Sequence, residues 1–225
     1  MVRLVLFDID GTLVHTGGAG TKAFAKVFAT EFGLPQGTEK MKFAGRTDVS
    51  LVREFFNLHG IPATSDNFER FFSRYVFWLD HILTHSHTEE CPGVRDLILE
   101  LESLPQPPLI GLLTGNIRLG AEIKLRHFKL WEHFETGGFA DDSEDRDQIA
   151  AAAKARGERV LGQKLDGSEI IVIGDTPLDI RCGRAIGAKV LAVATGGSRY
   201  EELERHHADW TVEDLRGLSA AELCR

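Results

Sequence analysis

Cysteine is scarce in this chain of 225 residues: Cys91, Cys182 and Cys224 are the three, an odd number in no Cys-x-x-Cys spacing. The pattern argues against a disulfide framework and predicts reduced, structural thiols of a cytoplasmic protein. No apolar run approaches the roughly 20 residues of a membrane helix. No basic, apolar leader precedes the first strand-like run, which also points to the cytoplasm. Positive charge is in deficit: Lys and Arg number 26 against 34 Asp and Glu, a formal net charge of −8. That disfavours nucleic acid and membrane as partners, because both demand a basic face. Internal repeats and low-complexity tracts are absent. What is present is an ordinary globular composition, 43% hydrophobic and 27% charged, in a length that suits one large or two small domains.

The chain is organised around its first dozen residues. Leu4-Val-Leu-Phe7 is a continuous apolar run, the pattern of a strand buried on both faces, and it ends in Asp8-Ile-Asp10-Gly-Thr12. Carboxylates at the end of a buried strand are costly to place, and in an open parallel sheet that end is where ligands bind. If strand geometry continues through Asp10, alternation points both carboxylates the same way. Gly11 then permits a sharp turn and a close approach to a ligand. Two facing carboxylates suit either a hard divalent cation such as Mg²⁺ or attack by one with acid–base work by the other.

Phe7-Asp-Ile-Asp-Gly-Thr-Leu13 resembles the first motif of the haloacid dehalogenase superfamily, in its phosphatase branch. The resemblance implies that Asp8 is the nucleophile that forms an aspartyl-phosphate. It also implies that Asp10 protonates the leaving oxygen and then activates water, with its backbone carbonyl on Mg²⁺. Dehalogenases of the superfamily lack the second Asp, so Asp10 argues for phosphoryl transfer.

Apolar residues recur at helical spacing over 23–32, from about Asp48 to Leu58 and from about Asp66 to Leu83, and nothing between residues 17 and 85 alternates like a strand. The stretch predicts a small, aromatic-rich helical bundle, and the resemblance implies a helical cap at residues 15–88 that closes over the site. In the loop Phe43-Ala-Gly-Arg-Thr-Asp48, Arg46 offers a planar fork to an anionic group, while Thr47 or Asp48 suits the cap of the next helix. The loop resembles the superfamily's substrate-facing cap loop. His81 and His85 are four apart but have no third ligand nearby.

After Pro92-Gly93 come a helix over about 94–103, a strand at Leu109–Leu113 and the polar turn Thr114-Gly-Asn116. A hydroxyl and backbone N–H groups there make a phosphate cradle, and the turn resembles the second motif, which gives Thr114, Gly115 and Asn116 substrate-binding roles. A helix over about 118–128 and a short strand near 136–138 follow. The third motif is a Lys, and the match departs from it. Phe139-Ala-Asp-Asp-Ser-Glu-Asp-Arg-Asp147 has Arg146 in its place, opening a helix to Arg156, with Lys154 as runner-up. Arg146 lies 29 residues before Asp175, an excess that the 160–167 stretch would absorb.

Strand Glu169–Ile173 leads to Gly174-Asp-Thr-Pro-Leu-Asp179, where Pro177 suits a first helical turn. This resembles the fourth motif, in which Asp175 binds Mg²⁺ directly and Asp179 helps order the site. A strand at 189–193, a helix at 200–206, a strand at 209–212 and a helix at 213–223 complete the chain.

The alternation predicts α/β architecture, a doubly wound, Rossmann-like parallel sheet from residues 1–14 plus 89–225, with the helical cap inserted. The resemblance covers nearly the whole chain and is closest to phosphoglycolate-phosphatase-like members. It implies Mg²⁺-dependent hydrolysis of a small phosphate monoester, a phosphorylated metabolite, by a monomer or homodimer. Asp8, Asp10 and Arg146 are the catalytic set, and the metal set is Asp8, Asp10, Asp175 and Asp179. Two alternatives stay open: a phosphomutase of the same superfamily acting on a sugar phosphate, and a non-catalytic, receiver-like phosphate-binding protein.

Overall fold

The computed structural model describes residues 1–38 and 41–225. In chain order the elements are β1 (Leu4–Phe7), β2 (Val14–His15), α1 (Ala19–Phe32), α2 (Asp48–Leu58), α3 (Ser65–Leu83), β3 (Glu89–Glu90), α4 (Val94–Glu102), β4 (Leu109–Leu113), α5 (Arg118–His127), β5 (Thr136–Gly138), α6 (Arg146–Leu161), β6 (Ile170–Gly174), α7 (Pro177–Ala185), β7 (Lys189–Val193), α8 (Tyr200–Arg205), β8 (Trp210–Val212) and α9 (Ala220–Leu223).

Six strands form one parallel sheet in the order β5-β4-β1-β6-β7-β8. The chain therefore builds outward from β1 in one direction, then returns and builds outward in the other, and the reversal lies between β1 and β6. This is the doubly wound architecture, with its ligand crevice at the point of reversal. The apolar runs of the central strands are explained by burial on both sides. Val5 and Phe7 pack with Ile171, Ile173, Leu97 and Leu125, whereas Leu4 and Leu6 pack with Ile170, Val172, Ile149 and Ala153. Alternation along a pleated strand sends neighbours to opposite layers, so α4 and α5 cover one face and α6 and α7 the other.

A third cluster joins α1, α2 and α3 through Phe24, Phe28, Phe55, Phe56, Phe71 and Tyr75. Among the described residues no strand interrupts 16–88. The segments that lead into and out of this bundle pair as antiparallel β2 and β3, Val14 opposite Glu90 and His15 opposite Glu89. Two-residue strands carry no periodic signal, and nothing in the sequence pattern points to them.

Two expectations change. The helix beginning at Arg146 does not stop at Arg156 but runs to Leu161, where Gly162 turns left-handed at φ 68°. Gly157 suggests a break, yet a Cβ there would lie 2.7 Å from Leu4 Cδ2, so this glycine lets the helix approach the sheet. The last helix covers only Ala220–Leu223, because Gly217 takes a φ of 70° and turns the chain first. The cysteines are free and buried. Among the described residues, no helix is long and apolar enough to cross a membrane.

Candidate active site

β1 and β6 end side by side at the reversal, and each hands the chain to an aspartate. Asp8 and Asp175 are both buried. The loop after β7 closes on Asp175: the Gly197 N–H donates to Oδ2, and the Thr12 hydroxyl donates to Oδ1 at 3.3 Å. Gly11, at φ 86°, would place a Cβ 2.7 Å from Asp175 Oδ2, so only glycine fits the turn after the first motif.

Asp179 is fully buried on the first turn of α7. Its Oδ2 accepts from the Thr176 N–H at 3.0 Å and hydroxyl at 2.6 Å, a capping box opened by Pro177, while Oδ1 receives the Arg146 guanidinium. The same guanidinium nitrogen lies 3.8 Å from Asp8 Oδ1. Arg146 thus reaches the position that the sequence pattern reserves for a lysine, between Asp8 and Asp179. Lys154 does not; its Nζ meets the Ile186 carbonyl at 3.5 Å. Burial opposes the charge on Arg146, and Asp179 and Asp8 outweigh it, holding the guanidinium protonated.

Asp8, Asp175 and Asp179 each bring an oxygen within 4.8 Å of the others. Burial and then Asp179 raise Asp8 well above the usual carboxylate range, against the pull of Arg146. Asp175 rises to about 7, first by burial, then by Asp179. One guanidinium faces three carboxylates, and the donors are all hard oxygens, so the site fits a small divalent cation. Asp8 has the freest oxygens, and each oxygen of Asp175 accepts a single hydrogen bond. Asp179 is the most heavily engaged, with two donors on Oδ2 and the Arg146 guanidinium on Oδ1.

Asp10 falls outside this triad. β1 ends at Phe7, so the alternation expected to carry Asp10 alongside Asp8 is not maintained. Its Oδ2 instead receives Lys124 Nζ at 2.6 Å and Asn116 Nδ2 at 2.8 Å. Lys124 also donates to Asn116 Oδ1 at 2.6 Å, and Asn116 to Thr114 Oγ1 at 2.8 Å. Thr114, Asn116 and Asp10 therefore meet as the motif order anticipates, but around a lysine that no motif reading singled out. Lys124 is 3% exposed, on the same face of α5 as buried Ala121 and Leu125. A charged residue on an apolar helical face was the available signal, since such a charge is buried only when paired.

Asp8, Asp10, Asp175, Arg146, Thr114, Asn116 and Lys124 line one cavity of about 440 Å³. Its other wall belongs to the helical bundle: Phe24, Phe43, Leu51, Tyr75 and Asp48. The segment before α2 docks on the turn after β4 through two reciprocal bonds. The Asp48 N–H donates to the Gly115 carbonyl at 2.7 Å, and the Ile117 N–H donates to Asp48 Oδ2 at 2.9 Å. A Cβ on Gly115 would overlap the Arg46 carbonyl oxygen, so Gly115 serves this docking through its missing side chain. Arg46 lines the cavity too, with its guanidinium paired to Glu54. His81 on α3 and His85 just past its end are exposed neighbours, and no described residue joins them as a third ligand.

Asp48 is raised to about 7, chiefly by burial, against the pull of Lys124 and the Ile117 N–H. A carboxyl whose folded value exceeds its unfolded 3.8 gives its full contribution below about pH 4 and loses it as pH rises through about 7. That gap corresponds to about 4 kcal/mol. Asp48→Asn keeps an acceptor for Ile117 and removes the charge. The variant is expected to melt several degrees above the parent at pH 8, with the difference closing toward pH 4, as thermal denaturation across pH will show.

The sequence model of the haloacid dehalogenase-like hydrolase family matches residues 5–193. A phosphoglycolate phosphatase of Chromobacterium violaceum is 30% identical over 224 residues, covering 96% of this chain and 95% of its own. The 2-deoxyglucose-6-phosphate phosphatase 1 of Saccharomyces cerevisiae is 27% identical, covering 97% and 90%. Among solved structures, CbbY from Rhodobacter sphaeroides in complex with phosphate superposes with a TM-score of 0.75 at 18% identity, over 97% of this chain and 96% of that one. The family match spans both strands of the reversal and their aspartates, and the relatives align end to end: the chain belongs to the haloacid dehalogenase-like hydrolases, in their phosphatase branch.

Proposed function

We propose that this phosphatase hydrolyses a small phosphate monoester through an aspartyl-phosphate on Asp8, with Mg²⁺ as its cation. The observation that carries the reading is the position of Asp8: a buried carboxylate at the β1 terminus, with Arg146 at 3.8 Å, on the cavity floor shared with Asp175. Asp8, Asp175 and the Asp10 carbonyl would hold the cation, and Asp179 keeps Arg146 in register. Bound Mg²⁺ supplies positive charge beside the transferring phosphoryl group and keeps Asp8 ionised.

The Asp8 carboxylate oxygen attacks phosphorus in line and the ester P–O bond breaks. Asp10 gives its proton to the leaving oxygen. Lys124 and Asn116 hold Oδ2 of Asp10, so Oδ1 is the oxygen that exchanges the proton. Asp10, now a carboxylate, takes a proton from water. That water attacks phosphorus, the acyl-phosphate P–O bond breaks, and Asp8 returns with inorganic phosphate released. Arg146, the Thr114 hydroxyl and the Gly115 N–H offset charge on the equatorial oxygens. Residues 1–14 plus 89–225 form the catalytic core and 15–88 the cap, hinged at the β2–β3 pair that stands at both boundaries.

The test is release of inorganic phosphate from phenyl phosphate and a panel of small alkyl phosphates, with Mg²⁺ and with excess EDTA. Release that needs Mg²⁺ and resumes when it is restored is expected. Failure to release phosphate from every ester, with Mg²⁺ present and the fold intact, overturns the reading.

A further inference from the structure

The chemistry of the cavity wall opposite Asp8 bears on what the phosphate is attached to. Three cations among the described residues line the cavity through a guanidinium or ammonium group, and each is matched to a carboxylate. Arg146 is on Asp179, Lys124 on Asp10, and Arg46 on Glu54. A bound divalent cation and the dianionic phosphate offset one another. Asp48 then remains a cavity-lining carboxylate with no cation in hydrogen-bond contact; its one hydrogen bond among the described residues is from the Ile117 N–H. A second anionic group on the substrate would meet that acidic side chain, and among the described residues every guanidinium or ammonium on the cavity wall is already held by another. Like charges brought together in a desolvated site cost several kcal/mol.

The rest of this wall is apolar and held in place by its own packing. Phe24 meets Phe43 edge-to-face with ring centroids 5.5 Å apart, and Tyr75 at 4.9 Å. Aromatic faces set at these angles are pre-organised for a flat or cyclic apolar surface. About 440 Å³ also falls within the roughly 300–1,000 Å³ of pockets that enclose drug-sized ligands, well beyond what a two-carbon acid fills.

We propose that the leaving group of the substrate is an uncharged, ring-bearing alcohol, packed against Phe24, Phe43 and Tyr75 and donating a second hydroxyl's hydrogen to Asp48. The inference rests on the phosphatase reading of the same site. It separates this chain from the reaction named by its phosphoglycolate phosphatase relative, because phosphoglycolate carries a carboxylate where this wall offers another.

The test is kcat/KM of the full chain with Mg²⁺ on glucose 6-phosphate, myo-inositol 1-phosphate, phosphoglycolate and pyrophosphate, repeated on Asp48→Asn. The two ring-bearing esters are expected to exceed phosphoglycolate and pyrophosphate by about 100-fold or more. In Asp48→Asn the gap to phosphoglycolate should narrow at least about tenfold, mainly through a lower KM for phosphoglycolate. Phosphoglycolate or pyrophosphate used as well as the ring esters would overturn the inference and leave the phosphatase reading standing. A gap unchanged in Asp48→Asn would remove Asp48 as its origin and overturn the proposal in that form. No hydrolysis of any of the four would bring down both.

Discussion

Asp8→Asn is expected to lower kcat by about 10⁴-fold or more, since in the proposed mechanism this residue supplies the nucleophile. The same substitution should stabilise the metal-free protein at neutral pH. Burial and Asp179 hold the Asp8 carboxyl well above its usual range. An acid raised on folding contributes its full share only below about 4, its unfolded value, and loses it as pH climbs through the folded one. Asparagine carries no such charge, so the metal-free variant melts higher than the parent at pH 7–8 by a few degrees. Added Mg²⁺ should raise the parent's melting temperature and the variant's much less. Phosphate release and thermal denaturation with and without EDTA check both halves. A variant with normal kcat would remove Asp8 from the mechanism.

Lys124→Met is expected to reduce kcat by about 10²-fold or more, in keeping with the worth of a positioned acid–base. The lysine contacts Asp10 Oδ2 and Asn116 Oδ1 at 2.6 Å each, so its loss frees the side chain proposed to protonate the leaving group. The deficit should therefore be larger for alkyl phosphates, whose alkoxides need that proton, than for p-nitrophenyl phosphate, whose phenolate does not. A merely structural lysine would depress both equally. Lys154→Met, at a residue bonded only to the Ile186 carbonyl, should leave both rates unchanged. The pair of variants also decides between two lysines that sequence spacing alone does not rank by function.

Where local pattern carried the information, the sequence was a close guide. The apolar runs at Leu4–Phe7, Leu109–Leu113 and Lys189–Val193 are strands, and Asp48–Leu58 is a helix within those very limits. Pro177 opens α7 as its chemistry suggests. The end of the helix from Arg146 was not legible, because a glycine inside a helix, here Gly157, can admit a neighbouring strand without ending it. Lys124 was invisible to motif reading, since its partners are 114 and 8 residues away.

The sequence by itself determined that strands end in paired aspartates and that a helical, aromatic segment separates the first strand from the rest. Those features arise from alternation, helical period and turn chemistry, which act over a few residues. Only the tertiary structure decided which charges meet: Arg146 with Asp8 and Asp179, Lys124 with Asp10, Arg46 with Glu54, and Asp48 with no cation in contact. A buried charge is stable only beside its counterpart. The identity of that counterpart depends on how sheet, helices and bundle pack together, which no single stretch of the chain encodes.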